Sequence, residues 1–159
     1  MPINARYAHT NLVARDWQRL TRFYEKVFGC VPLLPERNHK GQWLADCTGI
    51  PNVEIRGIHL RLPGYGDAGP TLEVFQYNPQ GEQSKTTANR PGFAHIAFAV
   101  DDVEVAQDLV LAAGGGTLGQ IVTTEIPGAG KITLVYLTDP EGNIVELQYW
   151  SQSLQEETE

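Results

Sequence analysis

The sequence predicts an α+β fold made of two βαβββ modules that form a curled, cleft-forming mixed sheet. The first observation is an internal repeat, in which the segment from Tyr7 to Asp16 aligns with the segment from Phe93 to Asp102. Both segments read aromatic, Ala, His, a short extended segment and then an Asp placed to cap a helix. The second observation is that a helix-like apolar spacing follows each Asp and that three strand-like segments follow each helix.

Both predicted helices have recognisable ends. The first begins after Asp16 and ends at Gly29, which suits the position that follows a helix C-terminus. The second ends at the glycines 114–116, and Asp101 with Glu104 three residues later resembles a capping box. The two halves of the chain therefore share their first strand and their helix.

Turn sequences rich in Gly and Pro divide the remaining residues of each half into predicted strands. These strands cover roughly 42–48, 53–62 and 71–77 in the first half, and 117–124, 131–138 and 143–150 in the second. The predicted organisation is a first module at 6–77, a polar linker at 78–92, a second module at 93–150 and a polar tail at 151–159, all within one structural domain.

Composition restricts the classes of function. A formal net charge of −7 over 159 residues argues against a nucleic-acid surface or an acidic-lipid anchor. The N-terminus has no apolar signal segment, and no apolar run approaches the roughly 20 residues that a membrane helix needs. Cys30 and Cys47 show no metal-binding spacing and are expected to be reduced thiols. We therefore predict a cytoplasmic protein with a small-molecule substrate.

The repeat places four candidate metal ligands at matching points. His9 and His95 stand in the first strand of each module, and Glu73 and Glu146 stand in the last. Two imidazoles and two carboxylates form a mixed N/O set that suits Zn, Ni, Co, Mn or Fe(II) alike. Four protein ligands leave one or two positions open, as catalytic metal sites do. We predict one divalent metal ion per site.

Strand parity supports this ligand set in the second module. Ala97 and Ala99 share the strand face of His95, whereas the intervening residues are bulkier. A face of small residues around a histidine is what a cavity requires. In the first module His9 shares its face with Asn11 and Val13, which is a less regular pattern.

Other polar residues are assigned to the surface. His39 stands in a charged stretch and is expected in a loop. His59 and Arg61 share a strand face and are expected to face solvent, although Arg61 could bind a substrate carboxylate. Glu54, at the start of the same strand, is a further candidate base.

Between residues 6 and 150 the chain resembles the vicinal oxygen chelate superfamily, which includes glyoxalase I, methylmalonyl-CoA epimerases, extradiol dioxygenases, and the fosfomycin and bleomycin resistance proteins. The resemblance rests on His9 ahead of the first helix, on the segment FAHIAFAVDD at 93–102 and on the segment DPEGNIVE at 139–146. The order His9, Glu73, His95, Glu146 is similar to that of glyoxalase I.

The resemblance implies a metal-dependent glyoxalase-type lyase or isomerase that acts on a small vicinal-oxygen substrate through a metal-stabilised enediolate. Glu146 would then be a ligand that doubles as the base, with Glu73 on the opposite side. The alternatives are an Fe(II)-dependent extradiol dioxygenase that uses His9, His95 and Glu146, and a non-catalytic ligand-binding or resistance protein. Members often dimerise, so the resemblance also implies a homodimer. The segments 48–52 and 127–130 would be rims of the cleft.

Overall fold

The computed structural model describes residues 1–151, which fall into unit 1 (residues 1–84) and unit 2 (from residue 85). The division lies inside the predicted linker 78–92, while the predicted module limits stay a prediction. Ser151 ends the last strand, and the rest of the predicted tail 151–159 lies outside the described residues. Over residues 1–151 the chain forms three α-helices and two open mixed sheets, which confirms the α+β class.

Unit 1 is a four-stranded sheet with two helices. The elements are β1 (His9–Val13), α1 (Trp17–Phe28), β2 (Val31–Lys40), α2 (Gln42–Thr48), β3 (Glu54–Arg61), a short 3-10 turn (Gly66–Ala68) and β4 (Thr71–Asn78). Strand β1 is parallel to β4, whereas β3 runs antiparallel to both β4 and β2, in the order β1-β4-β3-β2.

Unit 2 repeats this topology. The elements are β5 (His95–Ala99), α3 (Val103–Ala112), β6 (Gly116–Thr117), β7 (Val122–Ile126), β8 (Gly130–Thr138) and β9 (Ile144–Ser151). Strand β5 is parallel to β9, β8 is antiparallel to β9, and both β6 and β7 pair with β8. The predicted strand 117–124 is therefore two separate strands.

One face of each sheet is covered by a helix. Helix α1 contacts β3 and β4, and α3 contacts β8 and β9. Because side chains alternate along a strand, the apolar residues of the inner strands point to the helix and the residues between them point to the opposite face. The buried strand residues of the helix-covered faces are Ile58, Leu60, Leu72 and Val74 in unit 1, and Val135, Leu137, Val145 and Leu147 in unit 2.

The structure confirms most of the helix ends predicted from the sequence. Asp16 Oδ1 accepts a hydrogen bond from the Arg19 amide at 3.0 Å, and Gly29 adopts a left-handed conformation with φ 67° after α1. In α3 the cap is Asp102, which accepts from the Val105 amide at 3.0 Å. The capping box predicted at Asp101 is wrong, because the neighbouring Asp occupies the cap position.

The predicted strand 42–48 is wrong, since these residues form α2. Gln42 Nε2 donates to Asp46 Oδ1 at 2.7 Å across one helical turn, and Gly49 ends the helix with φ 71°. The strand that precedes α2 is β2, which contains two prolines. It lies at the sheet edge and pairs only with β3, so prolines that cannot donate a ladder hydrogen bond are tolerated there.

No helix within residues 1–151 combines the length and the apolar character that a membrane crossing would require.

Candidate metal centre

The site of unit 1 is centred on the carboxylate of Glu73, a side chain that is 12% exposed. Parallel pairing of β1 with β4 sets Asn11 opposite Glu73, and His9, two residues earlier, shares the face of Asn11. Asn11 Nδ2 donates to Glu73 Oε1 at 2.8 Å, and His9 Nε2 lies 3.6 Å from the same oxygen. The register of two strands thus brings the first predicted His–Glu pair together.

A third ligand-type side chain, His59, joins this pair. Antiparallel pairing of β3 with β4 sets His59 directly opposite Glu73, and His59 Nε2 lies 2.8 Å from Glu73 Oε2. The other ring nitrogen, Nδ1, lies 3.1 Å from Thr71 Oγ1. One ligand atom from each of His9, His59 and Glu73 can be chosen so that all lie within 4.8 Å of one another.

The predicted solvent exposure of His59 is wrong, because its side chain is only 21% exposed. The sequence does contain a signal for this position. Ile58 and Leu60 on either side of His59 are core residues, and alternation along the strand therefore places His59 on the face opposite the helix. The sequence did not give the register of β3 against β4, and without that register its position opposite Glu73 could not be recognised.

Burial affects the protonation of this cluster. Burial lowers the pKa of His59 below its usual value, and the nearby Glu73 carboxylate only partly offsets this effect. Arg37 also lowers the pKa of His59 by charge repulsion. The neutral imidazole that results is the form in which histidine binds metals. On the same face, burial and then Glu73 raise the pKa of Tyr77.

The site of unit 2 has the same strand register. Parallel pairing of β5 with β9 sets Ala97 opposite Glu146, and His95 again lies two residues before that partner. His95 Nε2 is 2.9 Å from Glu146 Oε2, and the Glu146 side chain is 11% exposed. Tyr136 stands opposite Glu146 on β8, and its ring lies 4.9 Å from the His95 ring. The second predicted pair is thus also brought together.

The segment DPEGN fixes the start of β9 and so the position of Glu146. Asp139 Oδ1 accepts hydrogen bonds from the amides of Glu141 at 2.9 Å and Asn143 at 3.0 Å. Asn143 Nδ2 in turn donates to Asp139 Oδ2 at 2.8 Å. These bonds close a tight turn three residues before Glu146.

An apolar cavity of about 460 Å³ opens in unit 1. Val13 lies two residues after Asn11 and Tyr77 four residues after Glu73, so both lie on the strand faces that carry the cluster. Two residues of the predicted rim 48–52 also line it. The lining residues are Val13, Thr48, Ile50, Tyr77, Pro79 and Gly81.

The remaining candidate residues have contacts or burial that give them a structural role. His39 lies in β2, so the predicted loop position is wrong, and its ring makes an edge contact with Trp43 at 5.5 Å. Arg61 forms an ion pair with Asp67. Cys30 is buried, and this burial raises the pKa of its thiol to about 11, which keeps the thiol protonated and unsuited to nucleophilic chemistry.

The donor set fits a divalent transition metal. In both units an imidazole Nε2 faces a carboxylate oxygen, and such nitrogen and oxygen donors suit these ions. Among residues 1–151 no Lys or Arg forms an ion pair with Glu73 or Glu146, so no side-chain cation in that part of the chain competes for either carboxylate.

A family model described as the Glyoxalase/Bleomycin resistance protein/Dioxygenase superfamily matches residues 6–147. A protein from Vibrio parahaemolyticus named probable lactoylglutathione lyase is 30% identical over 148 residues, which are 91% of this chain and 90% of the relative. A protein of the same name from Vibrio cholerae is 30% identical over 149 residues, with the same two shares.

Solved structures show the same fold. A glyoxalase family protein from Bacillus cereus superposes with a TM-score of 0.79 at 17% identity, over 95% of this chain and 97% of that one. A fosfomycin resistance protein from Listeria monocytogenes, complexed with Mn(II) and sulfate, gives a TM-score of 0.54 at 15% identity over 98% of both chains.

Proposed function

Because the chain belongs to the glyoxalase/bleomycin resistance protein/dioxygenase superfamily, we propose that it is a metal-dependent lyase or isomerase of the glyoxalase type. Its substrate would be a small molecule that carries oxygens on two neighbouring carbons. The family resemblance inferred from the sequence is confirmed by the family model. The reaction and the metal dependence are parts of the proposal.

One observation carries this proposal: the same His–Glu pair stands at the same strand register in both units. A His–Glu contact that served only packing would not need to recur at matching points of a duplicated fold. We therefore assign His9, Glu73, His95 and Glu146 as ligands of a divalent ion, one His–Glu pair from each unit. The names of the two Vibrio relatives support lyase chemistry for such a ligand set.

A divalent ion, when bound, polarises a substrate carbonyl and stabilises negative charge on its oxygens, which can lower the barrier by several kcal/mol. The residues of the chain would move the proton. Glu146 Oε2 faces His95 Nε2, while no side-chain hydrogen bond or ion pair within residues 1–151 involves Oε1. Glu146 Oε1 is therefore the atom we assign to take the proton from one substrate carbon and return it to the next.

Glu73 would have a different role. Asn11 holds Oε1 of Glu73 and His59 holds Oε2, so both oxygens already have partners. A carboxylate restrained at both oxygens is suited to keeping a ligand in place rather than to moving a proton. This restraint also favours the lyase over the extradiol dioxygenase alternative, in which Glu73 would be dispensable.

Glu146→Gln tests the assignment, because the amide keeps the shape of the side chain but cannot accept the proton. We expect turnover of a hemithioacetal of methylglyoxal to fall by about 10²–10⁴-fold in metal-loaded protein. Metal content should be measured on the same sample. Glu125→Gln, on the exposed strand β7, is the matched control and should keep full turnover.

Unimpaired turnover in metal-loaded Glu146→Gln protein would refute the role of Glu146. Oxygen consumption with a catechol in Fe(II)-loaded protein, with turnover that survives loss of Glu73, would replace the lyase by the dioxygenase. Metal binding with no turnover of either substrate would favour the non-catalytic alternative.

The homodimer implied by the resemblance is also part of the proposal. Light scattering after size-exclusion chromatography should give twice the chain mass of 17.6 kDa, whereas a single-chain mass would contradict it.

A further inference from the structure

We infer that His59 is a metal ligand and that unit 1 by itself holds a three-donor metal site formed by His9, His59 and Glu73. The inference rests on the proposed function in that it takes the chain to bind a divalent ion. It extends the ligand set by a residue that neither the duplication nor the resemblance assigns.

The donor atoms of unit 1 converge. His59 Nε2 is 2.8 Å from Glu73 Oε2, and His9 Nε2 is 3.6 Å from Glu73 Oε1. The two imidazole rings meet edge to face with their centroids 5.5 Å apart. Two imidazoles and one carboxylate within 4.8 Å of one another form a set that divalent transition metals bind while keeping further positions open.

The second ring nitrogen of His59 has the partner that a metal-binding histidine usually has. Metal-ligating imidazoles commonly donate their other N–H to a neighbouring oxygen, which fixes the ring and the tautomer. Thr71 Oγ1 lies 3.1 Å from His59 Nδ1 and can take this role. Asn11 does the same for the carboxylate, since its Nδ2 donates to Glu73 Oε1 at 2.8 Å. The contacts of Thr71 and Asn11 thus fix the orientation of His59 and Glu73, the two metal donors on the inner strands β3 and β4.

Unit 2 offers the internal contrast. Tyr136 occupies the position opposite Glu146 that His59 occupies opposite Glu73. A neutral phenol is a poor ligand for these ions compared with an imidazole. Within residues 1–151 the cluster in unit 1 is the only group of three such side chains that meets the distance requirement.

Metal binding by the full-length chain without the unit 2 ligands tests the inference. In the variant His95→Ala/Glu146→Ala, which removes both donor side chains, we expect one Co(II) or Zn(II) ion per chain by elemental analysis after gel filtration. Adding His59→Gln should weaken that binding by more than about 100-fold, beyond the range for loss of an outer-shell partner. Adding Tyr136→Phe instead is the matched control and should leave the affinity unchanged.

Glutamine was chosen at position 59 because its amide can donate to Glu73 Oε2 as His59 Nε2 would. If His59 only positions Glu73, the His59→Gln form of the double variant binds metal as tightly as the double variant itself, and the inference fails. It also fails if the double variant binds no metal although circular dichroism shows it folded.

Counting the coordinated imidazoles by spectroscopy tests the inference without measuring an affinity. Pulsed EPR of the Cu(II)-loaded double variant should show two coordinated imidazoles, and one after His59→Gln. A single imidazole before that substitution would overturn the inference. Failure of the proposed function is separate, because it would appear as wild-type metal binding without turnover.

Discussion

Glu73 and Glu146, the acidic residues of the two His–Glu pairs, occupy the same place in two copies of one fold, yet their surroundings differ. Glu73 contacts His9, Asn11 and His59, so both of its oxygens are held. Within residues 1–151 the only polar side-chain partner of Glu146 is His95, through Oε2. Its side chain is as buried as that of Glu73, so the difference lies in polar partners and not in access to solvent.

The neighbouring positions explain this difference. Strand register makes Asn11 equivalent to Ala97 and His59 equivalent to Tyr136. Duplication has kept the His–Glu pair in each unit while the two flanking polar side chains stand only in unit 1. Under the proposed function, unit 1 would chiefly hold the metal, and unit 2 would leave a carboxylate oxygen available for proton transfer.

The largest expected effect is a division of phenotypes between the two carboxylates. Glu146→Gln should lower kcat by about 10²–10⁴-fold even at a metal concentration that keeps the site occupied, because excess metal can offset the loss of a ligand but not the loss of the base. Glu73→Gln should chiefly reduce metal content, and excess metal should restore much of its turnover. Steady-state kinetics at several metal concentrations, with elemental analysis, would measure both. The same metal-dependent rescue in both variants would break the comparison.

The second effect concerns packing beside the His9, His59 and Glu73 cluster, on the same face of the sheet. A Cβ atom added to Gly57 would lie 2.0 Å from the Val74 carbonyl oxygen and 2.6 Å from the Phe75 ring. Leu134 occupies the equivalent place in unit 2, where its partner is Gln148 instead of Phe75. The Phe75 ring also packs 6.0 Å from the His59 ring.

Gly57→Ala should therefore lower the free energy of unfolding by about 3 kcal/mol, at the upper end of the range for overpacking. Gly81→Ala is the control, because an added Cβ meets no atom within 4 Å there. Its effect should stay within about 0.5 kcal/mol. Urea denaturation followed by tryptophan fluorescence measures both, and equal stability of the two variants would contradict the packing argument.

The third effect comes from making the two units alike at Asn11. Asn11→Ala removes the hydrogen bond to Glu73 Oε1 and reproduces the Ala97 of unit 2. We expect about 10-fold weaker metal binding by equilibrium dialysis, which is typical for loss of an outer-shell partner. The converse change, Ala97→Asn, should slow turnover by supplying Glu146 with a competing donor. A faster Ala97→Asn enzyme would argue against Glu146 as the base.

The smallest effect should be equal in the two units. Asp16 and Asp102 cap α1 and α3 with hydrogen bonds of the same length, 3.0 Å. Replacing either by Ala should cost about 1 kcal/mol of unfolding free energy. Asp101→Ala, at the residue before the cap, should change stability by less than that. Thermal unfolding of the three variants would check this ranking.

The sequence by itself determined the repeat, both long helices with their caps, and the positions of His9, Glu73, His95 and Glu146 on their strands. These features depend on local periodicity, capping and turn chemistry, which lie within a few residues of one another. The same local reasoning failed at 42–48, because a seven-residue helix contains too few residues for its period to be told from that of a strand.

Only the tertiary structure placed His59 beside Glu73. Its position is set by the antiparallel register of β3 against β4, which the nine-residue connection between these strands leaves open at the level of sequence. A shift of one residue would turn His59 away from Glu73, because neighbouring strand residues point to opposite faces. Register across strands is a property of the folded sheet, and this is why the polar partners of Glu73 became visible only there.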